Sequence, residues 1–430
     1  MITGYRCAVC AAAVPITTVG PWRCPNATAR DRRHVLRIET DGAPAPPPDP
    51  DTNPFVAYRA RMAWHGFATA RGMVDADTVA LVRQLDDAIA AVDGTGFRTT
   101  PLARADALSD ALGFTDAGGV WVKDETAGVG GSHKARHLMG VLLHLEVAEG
   151  LGLMPRRDAI RLAIASCGNA ALAAATLAKA ARRPLDVFIP PDADSAVVER
   201  LTELGAGLVV CARAADDPPG DPCIHQFRAA VDAGAVPFSV QGPDDALCLD
   251  GGRTIGWELA AQLDGRAVGR VFVQVGGGAL ATAIGDALGD GGVAPPARIH
   301  AVQVAGCAPF ARAWACAHRV GVGQVQHHWV TCMQPWDTVP VSAATGILDD
   351  ETYDWLGVVH ALVASGGTPI VATEDDVVKA NDLALRTTPI PVDPTGSAGL
   401  AGLRALRRSV GDSECAIVLF TGRFRPFTTR

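Results

Sequence analysis

The sequence predicts an α/β fold of two lobes, each a mainly parallel twisted sheet flanked by helices, with a Cys-containing extension at the N-terminus. Three observations predict it. Apolar runs of strand length alternate with helical stretches beyond Thr100, most of those helices end at Gly or Arg-Pro, and a second series of the same kind opens at Arg270. Such alternation marks parallel sheets covered on both faces. The 430 residues exceed what one simple core needs, so more than one domain is expected.

The extension carries "CAVC" (Cys7 to Cys10) and Cys24 in "WRCPN". The spacing suggests a zinc ribbon, yet a closed structural site needs four ligands. Ala27 occupies the expected partner position and His34 is the available substitute, so the expectation is loop cysteines and no metal. The stretch "DGAPAPPPDPD" is a stiff proline-rich connector. It sets a first boundary, giving segments 1–50 (extension and linker), 51–135 (helical, leading into the large lobe), 136–245 (small lobe) and 246–430 (large lobe).

Val74 to Val92 has helical periodicity, and "VWVKDE" is a strand. "RLAIAS", "LDVFIP", "GLVVCA" and "VPFSV" follow as strands, separated by "AALAAATLAKAA", "SAVVERLTELGA" and "HQFRAAVDAG" as helices. The second series runs "RVFVQV", then the helix "LATAIGDALG", then "RIHAVQV", and closes with "CAIVLF".

Hydrophobic residues make up 48% and charged residues 20%, which fits a packed globular chain rather than a disordered one. A net charge of −8 without a basic stripe argues against nucleic acid or an anionic membrane as partner. Eleven cysteines scattered through apolar segments are expected to be reduced, buried thiols. No signal peptide or membrane-spanning run is recognised, so a cytoplasmic protein is expected.

Ligands of such sheets bind beyond the strands' carboxyl ends, where helix N-termini point inward. Gly276, Gly277 and Gly278 lie between a strand and a helix that begins with Ala279 and Leu280. Backbone N–H groups of consecutive glycines approach a phosphate closely, although a tight turn explains the glycines equally well. At another junction, "IASCGNAALAA", Ser166 caps a helix or, with Gly168, offers N–H groups to a carboxylate, while Asn169 offers an amide.

Of four lysines, Lys179 lies near a helix C-terminus, Lys379 is on an acidic helix, and Lys123 precedes Asp124 and Glu125. Lys134, in "GGSHKARH", has His133, Arg136 and His137 around it. Desolvation and like charges there are expected to depress its pKa, as an imine-forming amine requires. His327, His328 and Trp329 are candidates either for a substrate pocket or, equally, for a buried structural role, and the stretch Val341 to Asp350 is a similar candidate.

With "TTPLARADALSDALG", "VWVKDETAGVGGSHKAR", "ASCGNAALAAATLAK", "LDGGRTIGWEL", "VGGGAL" and "LFTGR" in this order, the chain resembles the fold-type II pyridoxal-phosphate (PLP) enzymes of the tryptophan synthase β-subunit-like superfamily. The resemblance covers about Gly96 to the C-terminus. "CAVC…WRCP", "NPFVAYR" and "TIGWEL" look most like threonine synthases and threonine-serine dehydratases. The resemblance implies PLP on Lys134 as a Schiff base, with Asn169 at its 3′-oxygen and Gly276 to Leu280 at its phosphate. Thr421 matches the hydroxyl at the pyridine nitrogen, and Ser166, Gly168 and Asn169 the substrate side. The lysine loop reads "AGVGGSHKARH" where threonine synthases have Pro-Thr-Gly-Ser-Phe-Lys-Asp-Arg; His133 is instead similar to the tryptophan synthase β-subunit, where it helps to bind phosphate.

A PLP-dependent lyase or synthase is therefore expected, acting on a small amino acid by α,β-elimination or by β/γ-replacement. The alternatives are threonine synthase proper, using O-phosphohomoserine, and a silent PLP- or metabolite-binding protein. The resemblance also implies a homodimer.

Overall fold

The computed structural model describes residues 2–214, 217, 220–290 and 297–425. Two parallel sheets form the framework. In the small lobe, β6 (Leu162–Ala165), β7 (Leu185–Ile189), β8 (Gly207–Val210) and β9 (Val236–Pro237) pair in the order β8-β7-β6-β9, all parallel. The large lobe orders β12 (Pro369–Ala372), β11 (Arg298–Val304), β10 (Arg270–Gln274), β13 (Cys415–Phe420), β5 (Gly119–Asp124) and β4 (Leu102–Arg104). Only the β4–β5 pair of that sheet is antiparallel. The segment 51–135 thus contributes two strands to the large sheet besides its helices. The extension is a three-stranded antiparallel sheet, β2 (Ala13–Pro15), β1 (Ile2–Cys7) and β3 (Leu36–Thr40).

The strand sequences explain this layering. β10 (RVFVQ) and β13 (CAIVLF) are buried along their whole length, as central strands with helices on both faces must be. The helix Asn169–Ala180 is almost entirely buried, and its alanines allow close packing against its neighbours. The helix Lys134–Gly150 is buried from Ala135 to Ala148 and crosses the helix Cys248–Leu263. That crossing explains the glycines of "LDGGRTIG": a Cβ at Gly251 would overlap the Arg136 carbonyl, and one at Gly252 the His137 ring.

Behind this crossing lies a buried ion network. Lys123 Nζ donates to Glu258 Oε2 at 2.6 Å, to the Thr100 carbonyl at 2.8 Å and to Gln262 Oε1 at 2.9 Å. Arg136 donates to Glu258 Oε1 at 2.6 Å and to Glu125 Oε2 at 2.8 Å. The partner of Lys123 is therefore Glu258, a distant residue, rather than the adjacent Asp124 and Glu125 to which the sequence pointed.

The expectation that all cysteines are reduced is also corrected. Cys316 and Cys332 form a disulfide with Cα atoms 5.2 Å apart, because the helix Pro309–Val320 folds back through a 3₁₀ segment onto Trp329–Cys332. The other nine cysteines are free, with Cys10 and Cys167 exposed. No described helix is long and apolar enough to cross a membrane.

Removing one member of a buried pair leaves an uncompensated charge, at a cost of about 3–5 kcal/mol. Glu258→Gln should lose that much in urea unfolding, and adding Lys123→Met to it should recover part of the loss.

Candidate active site

A cavity of about 850 Å³ opens between the two sheets, lined by Lys134, the turn Ser166–Ala170, the loop Gly276–Leu280 and Thr421. The carboxyl ends of β6, β10 and β13 lead into it, each delivering one of these pieces. Lys134, Ser166, Gly168, Asn169, Gly276, Gly277, Gly278, Ala279, Leu280, Thr421 and His133 all line this one space, though they span almost 300 positions of sequence.

Lys134 is the first residue of its helix, and the cavity leaves its side chain partly accessible. Each other lysine has its amine engaged: Lys123 by Glu258, Lys379 by Asp375 at 2.7 Å and Lys179 by the Glu203 carbonyl at 2.9 Å. Lys134 alone has no hydrogen bond among the described residues. Burial holds its pKa below the ordinary lysine value, opposed by the charge of Asp349 and, more weakly, by Cys248 and Asp354. The positive end of the helix dipole works in the same direction as burial.

The like-charge contribution expected from Arg136 is corrected here. Arg136 turns away into Glu125 and Glu258, and no cationic neighbour is among the causes of the Lys134 shift. Burial pushes His133 and His137 below the usual histidine range as well, His137 to about 3, which favours their neutral forms.

His133 Nδ1 lies 3.2 Å from the Thr421 carbonyl, which fixes the N–H on Nδ1 and leaves Nε2 as an acceptor in the neutral ring. A phosphate contact through Nε2 would thus require a second proton. Thr421 Oγ1 accepts from Gln274 Nε2 at 2.5 Å, so its own proton is free for another acceptor. Gln274 also donates to the Gly396 carbonyl at 2.8 Å, which orients the amide.

On the opposite wall, the helix Asn169–Ala180 has Gly168 as its N-cap residue, and the Gly168 N–H donates to Ser166 Oγ at 3.3 Å. Asn169 Oδ1 accepts from Arg425 Nη1 at 2.5 Å, and Asp393 accepts from the Asn169 side chain. In the glycine loop, Gly278 has φ +94°, and its Cβ would lie 3.0 Å from Thr352. A Cβ at Gly276 would overlap Asp349. Asp349 accepts from the Gly277 N–H, and burial raises its carboxyl to about 6 against the pull of Lys134.

Thr345 to Asp350 of the stretch Val341–Asp350 line the cavity. His327, His328 and Trp329 do not; Trp329 is buried edge-on against Trp355, with ring centroids 5.7 Å apart. Of the two readings open for this stretch, Trp329 takes the buried structural one, in the core of the large lobe. Sequence reasoning misses Gln274, Gln241 and Arg425. Gln274 reaches Thr421 from 147 positions away through the β10–β13 pairing, and sequence gives no sign of that register.

The sequence pattern that defines the family "Pyridoxal-phosphate dependent enzyme" matches residues 95–422. The chain belongs to this family. A threonine synthase of Methanosarcina acetivorans is 26% identical over 352 residues, 75% of this chain and 74% of its own. Among solved structures, a threonine deaminase from T.th. superposes with a TM-score of 0.61 at 21% identity, over 80% of this chain and 99% of its own. Maize serine racemase gives 0.61 at 18% identity, over 80% and 94%. These structural likenesses show the fold.

PLP is the cofactor that the family implies, and the donor set fits it. A desolvated lysine faces a glycine loop at the start of the helix Ala279–Asp290, with an amide at Asn169 and a free hydroxyl proton at Thr421. Asp349, bonded to the glycine loop itself, is a charge in conflict with a phosphate. Above about pH 6 it is ionised and would repel a dianion held at that loop. Asp349→Asn should therefore bind PLP about tenfold more tightly at about pH 8, or ~1.4 kcal/mol, with the difference shrinking as pH falls below 6. Absorbance titration of the two proteins checks this.

Proposed function

We propose that the chain is a PLP-dependent lyase or synthase that removes or replaces a leaving group on the β carbon of a small amino acid. The observation that carries this reading is Thr421, a neutral hydroxyl whose oxygen is already satisfied by Gln274 and whose proton is the one left to offer. When bound, PLP draws electron density from the substrate's α carbon, and beside a neutral hydroxyl rather than an acid it does so weakly. Negative charge at that carbon is then short-lived, which favours expulsion of a β substituent over transamination.

In this reading Lys134 holds the cofactor at rest. Burial lowers its pKa and so favours the free amine once substrate displaces it, the form that takes the α proton and later returns it. The Ser166–Asn169 turn holds the substrate carboxylate on backbone N–H groups and the positive end of the helix, so the α C–H is oriented toward Lys134. Gly276 to Leu280 take the cofactor phosphate, and Asn169 its 3′-oxygen.

A threonine synthase reaction needs a second site for the substrate's phosphate ester. The remaining cavity wall offers Asp221, Asp337, Asp349 and Asp350 against Arg213. Like charge there opposes a phosphate ester and favours a neutral or cationic side chain.

The purified protein should take up PLP with a band near the visible edge, and Lys134→Ala should lose that band together with at least about 10³-fold of activity. Release of keto acid from serine, threonine or diaminopropionate, and none from O-phosphohomoserine, is the expected pattern. Phosphate release from O-phosphohomoserine would favour threonine synthase, and D-amino acid without keto acid would overturn the elimination reading.

A further inference from the structure

The N-terminal sheet brings four soft ligands within reach of one another. Cys7 ends β1, Cys10 sits in the turn after it, Cys24 lies in the loop beyond β2 and His34 just before β3. One ligand atom from each lies within 4.8 Å of all the others. The closest separations are 3.4 Å from Cys7 Sγ to His34 Nδ1 and 3.5 Å between the sulfurs of Cys10 and Cys24. A tetrahedral ion with Zn–S of about 2.3 Å and Zn–N of about 2.0–2.1 Å sets its ligands roughly 3.5–3.8 Å apart, so small shifts would close the set.

The surroundings suit thiolates. The Val9 N–H donates to Cys7 Sγ at 3.4 Å, the Asn26 N–H to Cys24 Sγ at 3.4 Å, and Asn26 Nδ2 to Cys10 Sγ at 3.3 Å. These three donors come from the residues just after each cysteine or from across the turn, and they would spread the negative charge of three sulfurs. His34 presents Nδ1 to Cys7, while its Nε2 lies 3.9 Å from Asp31 Oδ2. A carboxylate behind the far ring nitrogen is the usual orienter of a metal-bound histidine. His34, Cys7 and Cys24 are buried and Cys10 is exposed, which leaves an entry path for the ion. The absence of a ligand at Ala27 is thus made good by His34, from the other side of the sheet.

We infer that Cys7, Cys10, Cys24 and His34 form a closed Cys₃His structural zinc site. The ion would cross-link β1 to the loops on either side of β2. That sheet in turn grips the catalytic lobes: the Gly20 N–H donates to His144 Nε2 at 3.1 Å, Ala246 N to the Trp22 carbonyl at 2.9 Å, and Arg32 to Asp232 at 2.5 Å. His144 lies on the helix that Lys134 begins, so the site stabilises the support of the active site without touching its chemistry.

The test is metal analysis of the full chain, purified under reducing conditions without chelator. About one zinc per chain is expected. Replacement by Co²⁺ in the wild-type protein should give the visible bands and sulfur-to-metal charge transfer of tetrahedral thiolate coordination. His34→Ala should lose the metal, whereas His34→Cys should keep it with a shifted charge-transfer band. The inference is overturned by reduced protein that takes up neither Zn²⁺ nor Co²⁺, or by a Cys10–Cys24 disulfide found in native protein by non-reducing mass spectrometry.

Discussion

The site rests on one constraint: Arg136, buried two residues from Lys134, must have its charge met inside the protein, and the buried carboxylates of Glu125 and Glu258 do this. Arg136 is bound by both, and Glu258 is bound in turn by Lys123, so two cations and two anions cancel inside the protein. The same network fixes the first turn of the Lys134 helix against β5 and the helix Cys248–Leu263. Buried ion networks are poor sources of net stability, and their value here is positional.

Around that fixed turn the two sheets supply complementary halves. The small lobe brings a helix N-terminus suited to a carboxylate, and the large lobe brings the glycine loop and a neutral hydroxyl. Asp349 lies between the amine, whose charge attracts it, and the glycine loop, to which it is hydrogen-bonded.

Much of this was legible in the sequence. The strand-and-helix alternation gave both sheets, since fully buried strands must be continuous apolar runs, as β10 and β13 are. Lys134, the Ser166–Asn169 turn, Gly276–Gly278 and Thr421 sit next to local signals, namely glycines and strand ends. What sequence could not supply was pairing at long range. The contact of Gln274 with Thr421, the grip of Glu258 on Lys123 and the Cys316–Cys332 disulfide all depend on how distant segments dock. His34 is named from sequence as the available fourth ligand, and the return of β3 beside β1 is what brings it to the cysteines. At His327, His328 and Trp329 the sequence leaves a pocket wall and a buried role open, because polar residues beside a tryptophan fit both; the ring of Trp329 packs against Trp355.

The central claim is that Lys134, alone among four lysines, is the amine that carries the cofactor. Treating the PLP-loaded protein with borohydride and mapping the peptides by mass spectrometry tests it most directly. The account predicts one reduced pyridoxyl-phosphate adduct, on the peptide containing Lys134. An adduct on Lys123, Lys179 or Lys379 instead, or bound PLP that leaves no adduct on any lysine, would contradict it.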